Sequence, residues 1–411
     1  METSYRKIWL YNLIIVIFLN KNILKVKVLY DHQIFDHQRI GGVSRYFTEI
    51  IRHLPSEIDC EVSIQYSFNE YLKSLDIPFI WKYQLLSYAE FLPDWNFKGK
   101  KRLFNLLANK FPNKFPDLLE INKEATIKML QAKDFDIFHP TFFQDYYLPY
   151  MGNKPYILTV HDMIIELYPE FINSPGFVKR KKKLVDQAAH IIAVSENTKR
   201  DIINVFGTSD QKISVVHHAS SLEESNEKPE NLPERYILYV GDRRLGYKNF
   251  SFFVSSIQPI LSKNKDLYLV CTGDKFTEDE VKFFKELGIS EQIIIRFVED
   301  RQMYGLYESA QVFVYPSYYE GFGIPVLEAF QAKCPIVLPN SSCFPEVAAD
   351  AGIYFNAKSP QELRNAILKI LEDKEYRAEM IQKGTERLQD FSWKTSALQT
   401  VDIYKKVLGI G

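Results

Sequence analysis

The pattern that most limits the possible folds is an alternation of short apolar runs with longer amphipathic runs, which occurs twice along the 411 residues. Such alternation predicts βαβ units, in which parallel strands form a sheet that is covered by helices on both faces. Residues 221–234 separate the two series; they are polar and acidic and carry two prolines, as a linker does. We therefore predict an α/β fold of two doubly wound, Rossmann-like domains that face a cleft.

The apolar runs define the expected strands, and the amphipathic runs define the helices between them. The first series predicts strands over residues 25–30, 60–64, 137–139, 156–160, 190–194 and 213–217. The second series predicts strands over residues 236–240, 266–272, 293–297, 312–315, 335–338 and 352–354. The predicted helices cover residues 44–54, 179–189, 249–263, 278–287, 301–309, 325–332 and 360–372. In sheets of this kind ligands bind beyond the carboxyl ends of the strands, so the loops after strands are the first place to look for function.

These elements predict an organisation in five parts. The parts are an apolar extension over residues 1–24, a first domain over 25–220, a linker over 221–234, a second domain over 235–390 and a closing segment over 391–411. The apolar core of the extension is shorter than the roughly 20 residues that a membrane span needs. We interpret this extension either as a membrane-associating tail or as the product of an upstream start codon.

Composition excludes several classes of protein. The net charge of −1 gives no basis for binding nucleic acid. The four cysteines lack the paired spacing of a metal site, and a reducing cytoplasm is the simplest setting for them. We expect a cytoplasmic enzyme or binding protein without a structural metal.

The segment most informative about chemistry is residues 319–328, which reads YEGFGIPVLE and joins a predicted strand to a predicted helix. A helix N-terminus offers unpaired N–H groups and a partial positive charge to a phosphate. Gly321 and Gly323 have no Cβ, so a ligand can approach the backbone closely. Glu320 and Glu328 flank this turn as hydroxyl acceptors, Glu328 on the first helical turn, and the combination describes a nucleotide-sugar site. The alternative is an ordinary glycine turn with a glutamate that complements the helix dipole.

Cations follow the first strand of the second series. Arg243, Arg244 and Lys248 lie just after Gly241, in a turn that leads into a helix. Cations at the carboxyl end of a strand suit a diphosphate and would stabilise a departing nucleoside diphosphate. The alternative is a solvated turn with surface cations.

Weaker signals follow strands of the first series. Gly41 and Gly42 precede a helix after the first strand, which suits a phosphate but equally a tight strand-to-helix connection. His161 and Asp162 end the fourth strand, where they could bind sugar hydroxyls or assist proton transfer, although a lone histidine is more often structural.

Three other patterns resemble functional motifs but have simpler explanations. Asp134 and Asp136 form a D-x-D sequence on the wrong side of a predicted strand, so we interpret them as a polar turn. The histidines at 139, 217 and 218 lack partners at metal-ligand spacing and are interpreted as packing or cleft-lining residues. The cationic run 179–183 predicts a solvated helix face or, alternatively, a contact with anionic lipid or with a lipid-diphosphate acceptor.

Taken together, the motifs resemble those of the family 4 glycosyltransferases, also called glycosyl transferases group 1, which have the GT-B architecture. The resemblance covers nearly all of residues 25–405, in order. The residues that carry it are Gly41-Gly42 and the stretches 159–163, 193–196, 239–249, 316–328 and 344–347.

The resemblance implies roles for individual residues. Glu320 would bind hydroxyls of the donor sugar, Arg243 and Lys248 would hold the diphosphate, and His161 would contact the transferred sugar. The implied donor-binding residues are Gly42, Gly241, Gly321, Phe322, Gly323, Ile324 and Glu328, of which Glu328 would bind the ribose. The turn between Gly241 and Lys248 is longer than the commonest form, so either Arg243 or Arg244 could be the phosphate ligand.

The resemblance also implies a reaction. It implies retaining transfer of a hexose from a nucleotide diphosphate sugar to a growing surface glycan of the O-antigen, capsule or exopolysaccharide type, without a metal or other cofactor. The acceptor would be a glycan or lipid-linked glycan bound by the first domain, reached in the cytoplasm or at the cytoplasmic face of the inner membrane. The closing helix would cross back to the first domain. Two alternatives are a non-catalytic nucleotide-sugar-binding protein and a nucleotide-sugar epimerase on the same fold.

Overall fold

A computed structural model of the chain describes residues 25–77, 80–81, 91–92, 95, 97–110 and 118–410. The predicted apolar extension over residues 1–24 lies outside the described residues. The chain divides into two compact units: the residues up to Ile157 together with those from Val401 onward, and Leu158–Thr400. The five-part organisation drawn from the sequence stays a prediction beside this division.

The first unit is built on a parallel sheet of three strands in the order β2-β1-β5. Its strands are β1 (Val26–Tyr30), β2 (Ile58–Val62) and β5 (Ile137–His139), and a separate parallel pair is formed by β3 (Tyr66–Ser67) and β4 (Ile80–Trp81). Its helices are α1 (Gln33–His37), α2 (Gly42–Arg52), α3 (Lys100–Lys110) and α4 (Leu118–Ala132). An isolated parallel bridge joins Phe138 to Tyr156, just before the next strand of the chain.

The last helix, α15 (Trp393–Leu408), belongs to the first unit from Val401 onward. There Tyr404 is fully buried, and its hydroxyl lies 2.6 Å from the Tyr30 hydroxyl and 2.8 Å from Nδ1 of His139. The aromatic ring of Tyr30 also stacks on the His139 ring. His139 is therefore a packing residue of this core, as one of the two interpretations from the sequence proposed.

The second unit begins with a three-stranded sheet in the order β6-β7-β8. Its strands are β6 (Ile157–Val160), β7 (His190–Ala193) and β8 (Ile213–Val215), and its helices are α5 (Ile164–Leu167), α6 (Pro175–Gln187) and α7 (Glu196–Phe206). Ser195 caps the N-terminus of α7, where its side chain accepts a hydrogen bond from the Thr198 backbone N–H.

The rest of the second unit is a parallel six-stranded sheet in the order β11-β10-β9-β12-β13-β14. The strands are β9 (Tyr236–Tyr239), β10 (Tyr268–Thr272), β11 (Ile293–Arg296), β12 (Val312–Val314), β13 (Ile336–Pro339) and β14 (Gly352–Phe355). The helices are α8 (Phe250–Lys263), α9 (Glu278–Glu286), α10 (Asp300–Ser309), α11 (Ile324–Gln331), α12 (Phe344–Ala348), α13 (Pro360–Glu372) and α14 (Lys374–Leu388). The strand residues of β9, β12 and β13 are all buried, which explains their uninterrupted apolar sequence.

The strand order of this sheet reverses between β9 and β12. From β9 the chain adds β10 and β11 on one side of the sheet, and it then returns to add β12, β13 and β14 on the other. In open α/β sheets the two loops that leave such adjacent strands diverge, and the crevice between them is the usual ligand site.

The predicted α/β class is confirmed, and each predicted strand is present with its ends shifted by no more than about two residues. The helix predicted over 179–189 begins earlier, at Pro175, because proline suits the first helical position. The sequence pattern did not predict the short strands β3 and β4 or the helices α1, α4, α5, α7, α12 and α14. For residues 79–123 the sequence predicts helices and loops without assigned bounds, and α3 lies in this range.

Candidate active site

The loops after β9 and β12 bring Lys248 and Glu320 together at the point where the strand order reverses. The Lys248 ammonium lies 2.7 Å from Oε1 of Glu320, and the two side chains are 14% and 11% exposed. The ammonium is also 5.3 Å from the centre of the Tyr315 ring, at the end of β12. A partly buried ion pair of this kind presents a cation and a hydroxyl-binding carboxylate side by side.

Gly321 follows Glu320 at a position that has no room for a side chain. A Cβ on Gly321 would lie 1.6 Å from the backbone oxygen of His161. The Gly321 carbonyl accepts hydrogen bonds from the hydroxyls of Ser195, at 2.6 Å, and Thr198, at 3.2 Å. The turn is thus held against the loop after β6 and the N-terminus of α7.

The turn then leads into the N-terminus of α11. Gly323 is its N-cap residue and has a left-handed backbone, with φ of 87°, which glycine adopts without strain. Helix α11 starts at Ile324, one residue before the predicted start at Pro325. The Ser342 hydroxyl accepts from the Glu320 N–H at 3.1 Å and donates to the Glu320 carbonyl at 2.7 Å, which anchors the other end of the turn.

Phe322 and Glu328 are both buried. Phe322 is 3% exposed, and its ring packs edge-on against the His218 ring, with 5.0 Å between the ring centroids. Glu328 is 9% exposed and accepts a hydrogen bond from the Tyr307 hydroxyl at 3.1 Å. The first-turn position predicted for Glu328 was wrong: because α11 starts at Ile324, Glu328 is the fifth residue of the helix and begins its second turn.

The two arginines after Gly241 have different surroundings. The Arg243 side chain is 4% exposed and donates to Oε1 of Glu280 at 2.8 Å, to the Thr272 carbonyl at 2.8 Å and to the Asp274 carbonyl at 2.6 Å. These bonds occupy three of the five N–H donors of a guanidinium. The Arg244 side chain is 60% exposed and pairs with Asp242 and Asp274. Gly241 itself, at the end of β9, has φ of 143°.

His161 lies in the loop after β6, with its ring stacked on that of His218 at 5.7 Å between centroids. Burial, with a smaller contribution from Lys181, lowers the pKa of His161 to about 3. Burial also holds the pKa of His218 well below its usual range. Both rings are therefore neutral near pH 7, so His161 can exchange hydrogen bonds with a hydroxyl but cannot act as a protonated acid there.

Lys181 departs from the solvated helix face expected for the cationic run 179–183, whereas Lys179, Lys182 and Lys183 are exposed as expected. Lys181 is 1% exposed, and its ammonium donates to the Asp162 carbonyl at 2.7 Å and to Oε2 of Glu166 at 3.0 Å. Lys181 thereby supports the His161–Asp162 turn. The signal was available in the sequence, because Leu184 and Val185 follow at helical spacing and share its buried face.

Glu346 acts as a second cap for the N-terminus of α7. Its carboxylate accepts from the backbone N–H groups of Glu196, at 2.7 Å, and Asn197, at 3.1 Å, and lies 2.8 Å from Nε2 of His217. Burial alone would raise the pKa of Glu346, but the hydrogen bonds from His217 and the two N–H groups outweigh it and hold this pKa below its usual range. Glu346 thus fixes the helix whose first residues hold the Gly321 carbonyl.

Two family models together match most of the described chain. The model of Glycosyltransferase Family 4 matches residues 40–224, and that of Glycosyl transferases group 1 matches residues 220–387. The O-antigen chain mannosyltransferase B of Escherichia coli is 30% identical over 66% of this chain and 74% of its own length. The chain is a family 4 glycosyltransferase. The O-antigen chain mannosyltransferase RfbU of Salmonella typhimurium is 28% identical over 54% of this chain and 62% of its own length.

Solved structures show the fold of this glycosyltransferase. The complex of Anabaena Alr3699/HepE with UDP and glucose superposes with a TM-score of 0.67 at 15% identity, over 93% of this chain and 100% of that one. Sucrose-phosphate synthase from Thermosynechococcus elongatus gives a TM-score of 0.64 at 17% identity, over 94% of this chain and 100% of that one. The predicted GT-B fold class is confirmed.

Two further predictions for the glycosyltransferase concern Gly42 and the D-x-D sequence. Gly42 is the first residue of α2 in the first unit. Asp134 and Asp136 precede β5, where they accept from the side chain of Lys27 at 2.7 Å and from its backbone N–H at 2.9 Å, as expected of a polar turn. Within the described ranges, no three His, Cys, Asp or Glu side chains converge as metal ligands would, and no helix has the length and apolar character of a membrane span.

Proposed function

We propose that this glycosyltransferase is a retaining hexosyltransferase that uses a nucleotide diphosphate sugar as its donor. The observation that carries the proposal is the Lys248–Glu320 pair at the reversal point of a doubly wound sheet. There the ammonium would meet the β-phosphate, and the carboxylate would accept hydrogen bonds from hydroxyls of the hexose.

The proposed reaction is displacement on one face of the sugar. The bond between the anomeric carbon and the β-phosphate oxygen breaks as the acceptor oxygen forms its bond to the same carbon, and the acceptor proton passes to the departing phosphate. The nucleoside diphosphate leaves, and the configuration at the anomeric carbon is retained. Stabilising the leaving group is the main task of the enzyme, and Lys248 together with Arg243 would supply the charge without a metal.

The two arginines are proposed to divide this task unequally. Three of the N–H donors of Arg243 hold the loops after β9 and β10 together, and two remain for a phosphate oxygen. The exposed Arg244 would contribute little, because surface ion pairs are worth only about 0–1 kcal/mol. His161, as a neutral imidazole, would bind a hydroxyl of the transferred sugar.

The acceptor is proposed to be a growing surface glycan. Support comes from two relatives that are named O-antigen chain mannosyltransferases, which also make a mannosyl donor the first to test. Contact with an anionic membrane is supported by α3, which carries four cations and no acid. Trp95 and Leu106, in and near α3, are 67% and 61% exposed. Such a surface suits the boundary between headgroups and acyl chains at the cytoplasmic face of the inner membrane.

A nucleotide panel tests this function on the full chain. Thermal unfolding is measured with UDP, GDP, ADP and their hexose conjugates, each with and without EDTA, and release of nucleoside diphosphate is then followed with a glycan acceptor. We expect one nucleotide to raise the melting temperature with EDTA present, because a ligand at about 100 times its Kd stabilises the native state by about 2.7 kcal/mol.

Variants assign the roles. Lys248→Ala and Glu320→Ala should each abolish transfer at an unchanged fold, whereas Lys282→Ala, at a 78% exposed lysine of α9, should not. Arg244→Ala should keep most of the activity. A loss of activity in this variant at an unchanged melting temperature would show that Arg244 binds the phosphate.

The same measurements distinguish the alternative functions. Nucleotide binding without transfer would favour a non-catalytic binder, and conversion of the donor without acceptor would favour an epimerase. Full activity in both Lys248→Ala and Glu320→Ala would refute the site.

A further inference from the structure

A cavity of about 550 Å³ opens in the second unit at the carboxyl ends of β13 and β14, where the chain has no assigned function. Its volume lies within the range of small-molecule sites, about 300–1,000 Å³. The residues that matter for its chemistry are Tyr168, Tyr318, Asn340, Ser341, Asn356 and Lys358. It is therefore a pocket with aromatic walls and a polar rim, on the same edge of the sheet as the Lys248–Glu320 pair.

The cavity offers hydrogen-bonding groups that the protein does not use. In the part of the chain that the structure describes, the hydroxyls of Tyr168 and Tyr318, the side-chain amide of Asn340 and the ammonium of Lys358 have no hydrogen-bond partner. By contrast, the Tyr354 hydroxyl in the same wall donates to the Ala349 carbonyl at 2.6 Å. Together the unused groups can donate to and accept from several hydroxyls.

The walls of the cavity are held in place by contacts among the lining residues and with their neighbours. The Tyr318 ring stacks on Phe171 with an angle of 9° between the planes, and the Tyr318 N–H donates to the Tyr247 carbonyl at 2.8 Å. The backbone N–H of Asn340 donates to the Phe355 carbonyl at 3.0 Å, and that of Asn356 donates to Glu362 at 2.8 Å. Walls fixed before binding lower the ordering cost that a ligand must overcome.

The cavity adjoins the turn proposed to hold the donor sugar. Tyr318 comes two residues before Glu320, and the Ser341 hydroxyl donates to the Tyr318 carbonyl at 3.4 Å. Ser342, the next residue, holds both the N–H and the carbonyl of Glu320. A molecule in the cavity would thus lie beside the hexose that is to be transferred.

We propose that this cavity binds pyranose rings of an oligosaccharide acceptor and aligns the acceptor hydroxyl with the donor. Tyrosine rings offer flat apolar faces for the C–H faces of pyranoses, and the amide, hydroxyls and ammonium match the hydroxyls at their edges. The inference rests on the proposed function, because an acceptor subsite has a purpose only beside a donor site.

The test uses the full chain, with nucleoside diphosphate present, and defined saccharides as probes. The probes are α-linked mannobiose to mannotetraose and a matched series from maltose to maltotetraose, and binding is followed by calorimetry. We expect one of the two saccharide series to bind. A double variant that carries Asn340→Ala and Lys358→Ala should bind the same saccharides at least tenfold more weakly. Tyr168→Phe, which keeps the ring and removes the hydroxyl, should weaken it less. Nucleotide binding should stay unchanged in each variant.

Controls separate this inference from the proposed function. Asn365→Ala on α13 and Lys374→Ala at the start of α14 are exposed matched substitutions that should leave saccharide binding unchanged. If wild-type protein binds nucleotide but neither saccharide series, or if the cavity variants bind saccharide as wild type does, the inference fails and the proposed function stands. If the cavity variants lose nucleotide instead, the cavity belongs to the donor and the inference is overturned. If the wild-type protein binds no nucleotide at all, the proposed function itself fails.

Discussion

At the scale of single residues, the site depends on positions where the surrounding atoms or the backbone conformation restrict which residue can be present. Gly321 is required by space, since its Cβ would meet the His161 carbonyl, and Gly323 is required by its left-handed backbone. Lys248 and Glu320 hold each other in place at 2.7 Å, so each is positioned before a ligand arrives. These contacts make the turn rigid, which is what accurate placement of a reacting sugar needs.

Gly321→Ala tests whether that turn controls catalysis. The added methyl must push the turn away from the loop after β6, and a displacement of about 1 Å can lower a rate about 100-fold. We therefore expect a loss of transfer of about that size, together with a lower melting temperature. Gly176→Ala is the control: a Cβ there meets nothing within 4 Å, so activity and stability should be retained. Equal activity of the two variants would contradict the prediction.

The two stacked histidines predict how stability changes with pH. Their pKa values are lowered in the folded protein, whereas an unfolded histidine titrates near 6.5, so the unfolded chain takes up protons first as the pH falls. The stability they contribute is complete above about pH 6.5 and is lost below it, at up to about 1.4 kcal/mol per pH unit for each ring.

His161→Gln should flatten the fall in unfolding free energy between pH 6.5 and 5, measured by denaturant titration at each pH. Asn365→Gln, at an exposed position of α13 without a titratable group, provides the comparison and should keep the slope of the wild-type protein. An unchanged slope in His161→Gln would show that this imidazole titrates normally.

At the scale of elements, the helix α7 connects several parts of the site. Its cap Ser195 and its residue Thr198 hold the Gly321 carbonyl, and Glu346 accepts the first two backbone N–H groups of the helix. A carboxylate at this end also complements the partial positive charge of the helix. Helix α7 therefore joins α12 to the glycine turn through four hydrogen bonds.

Glu346→Ala should lower stability by about 1–3 kcal/mol, because it leaves two N–H groups without their acceptor. Glu346→Gln, which keeps one carbonyl oxygen, should fall between this variant and wild type, and transfer activity should follow the same order. Glu278→Gln, at the exposed first residue of α9, should match wild type. Stability is measured as the melting temperature and activity as the initial rate of transfer. If Glu346→Ala matches the wild-type protein in both, Glu346 does not support the turn.

At the scale of the whole molecule, the C-terminal helix contributes to the core of the first unit, although it comes last in the chain. Tyr404 of α15 is fully buried and bonds through its hydroxyl to Tyr30 and His139, which end β1 and β5. Contacts between such distant parts of the chain cost loop-closure entropy on folding. The buried Tyr404 contact must offset this cost.

Tyr404→Ala should destabilise the first unit by about 3–5 kcal/mol, the range for removing a large buried aromatic side chain. Leu398→Ala, at a 43% exposed position on the same helix, should change stability by no more than about 0.5 kcal/mol. Denaturant unfolding followed by tyrosine and tryptophan fluorescence measures both. Similar curves for the two variants would mean that this buried contact contributes little to stability.

The sequence by itself determined the α/β class, the strands of the three larger sheets and most of the helices of the second unit. It also predicted Lys248, Glu320, Gly321 and Gly323 as residues of the candidate site. The elements follow from the periodicity of apolar residues, and the site residues follow from glycines and charged side chains in the loops after strands. Each of these patterns involves residues that are close together in the sequence. Only the tertiary structure decided which side chains meet: that Lys181 is buried under Asp162, that Arg243 rather than Arg244 is enclosed, and that Glu346 caps α7. Such pairings depend on how distant segments fold onto one another, and a linear pattern carries little information about them.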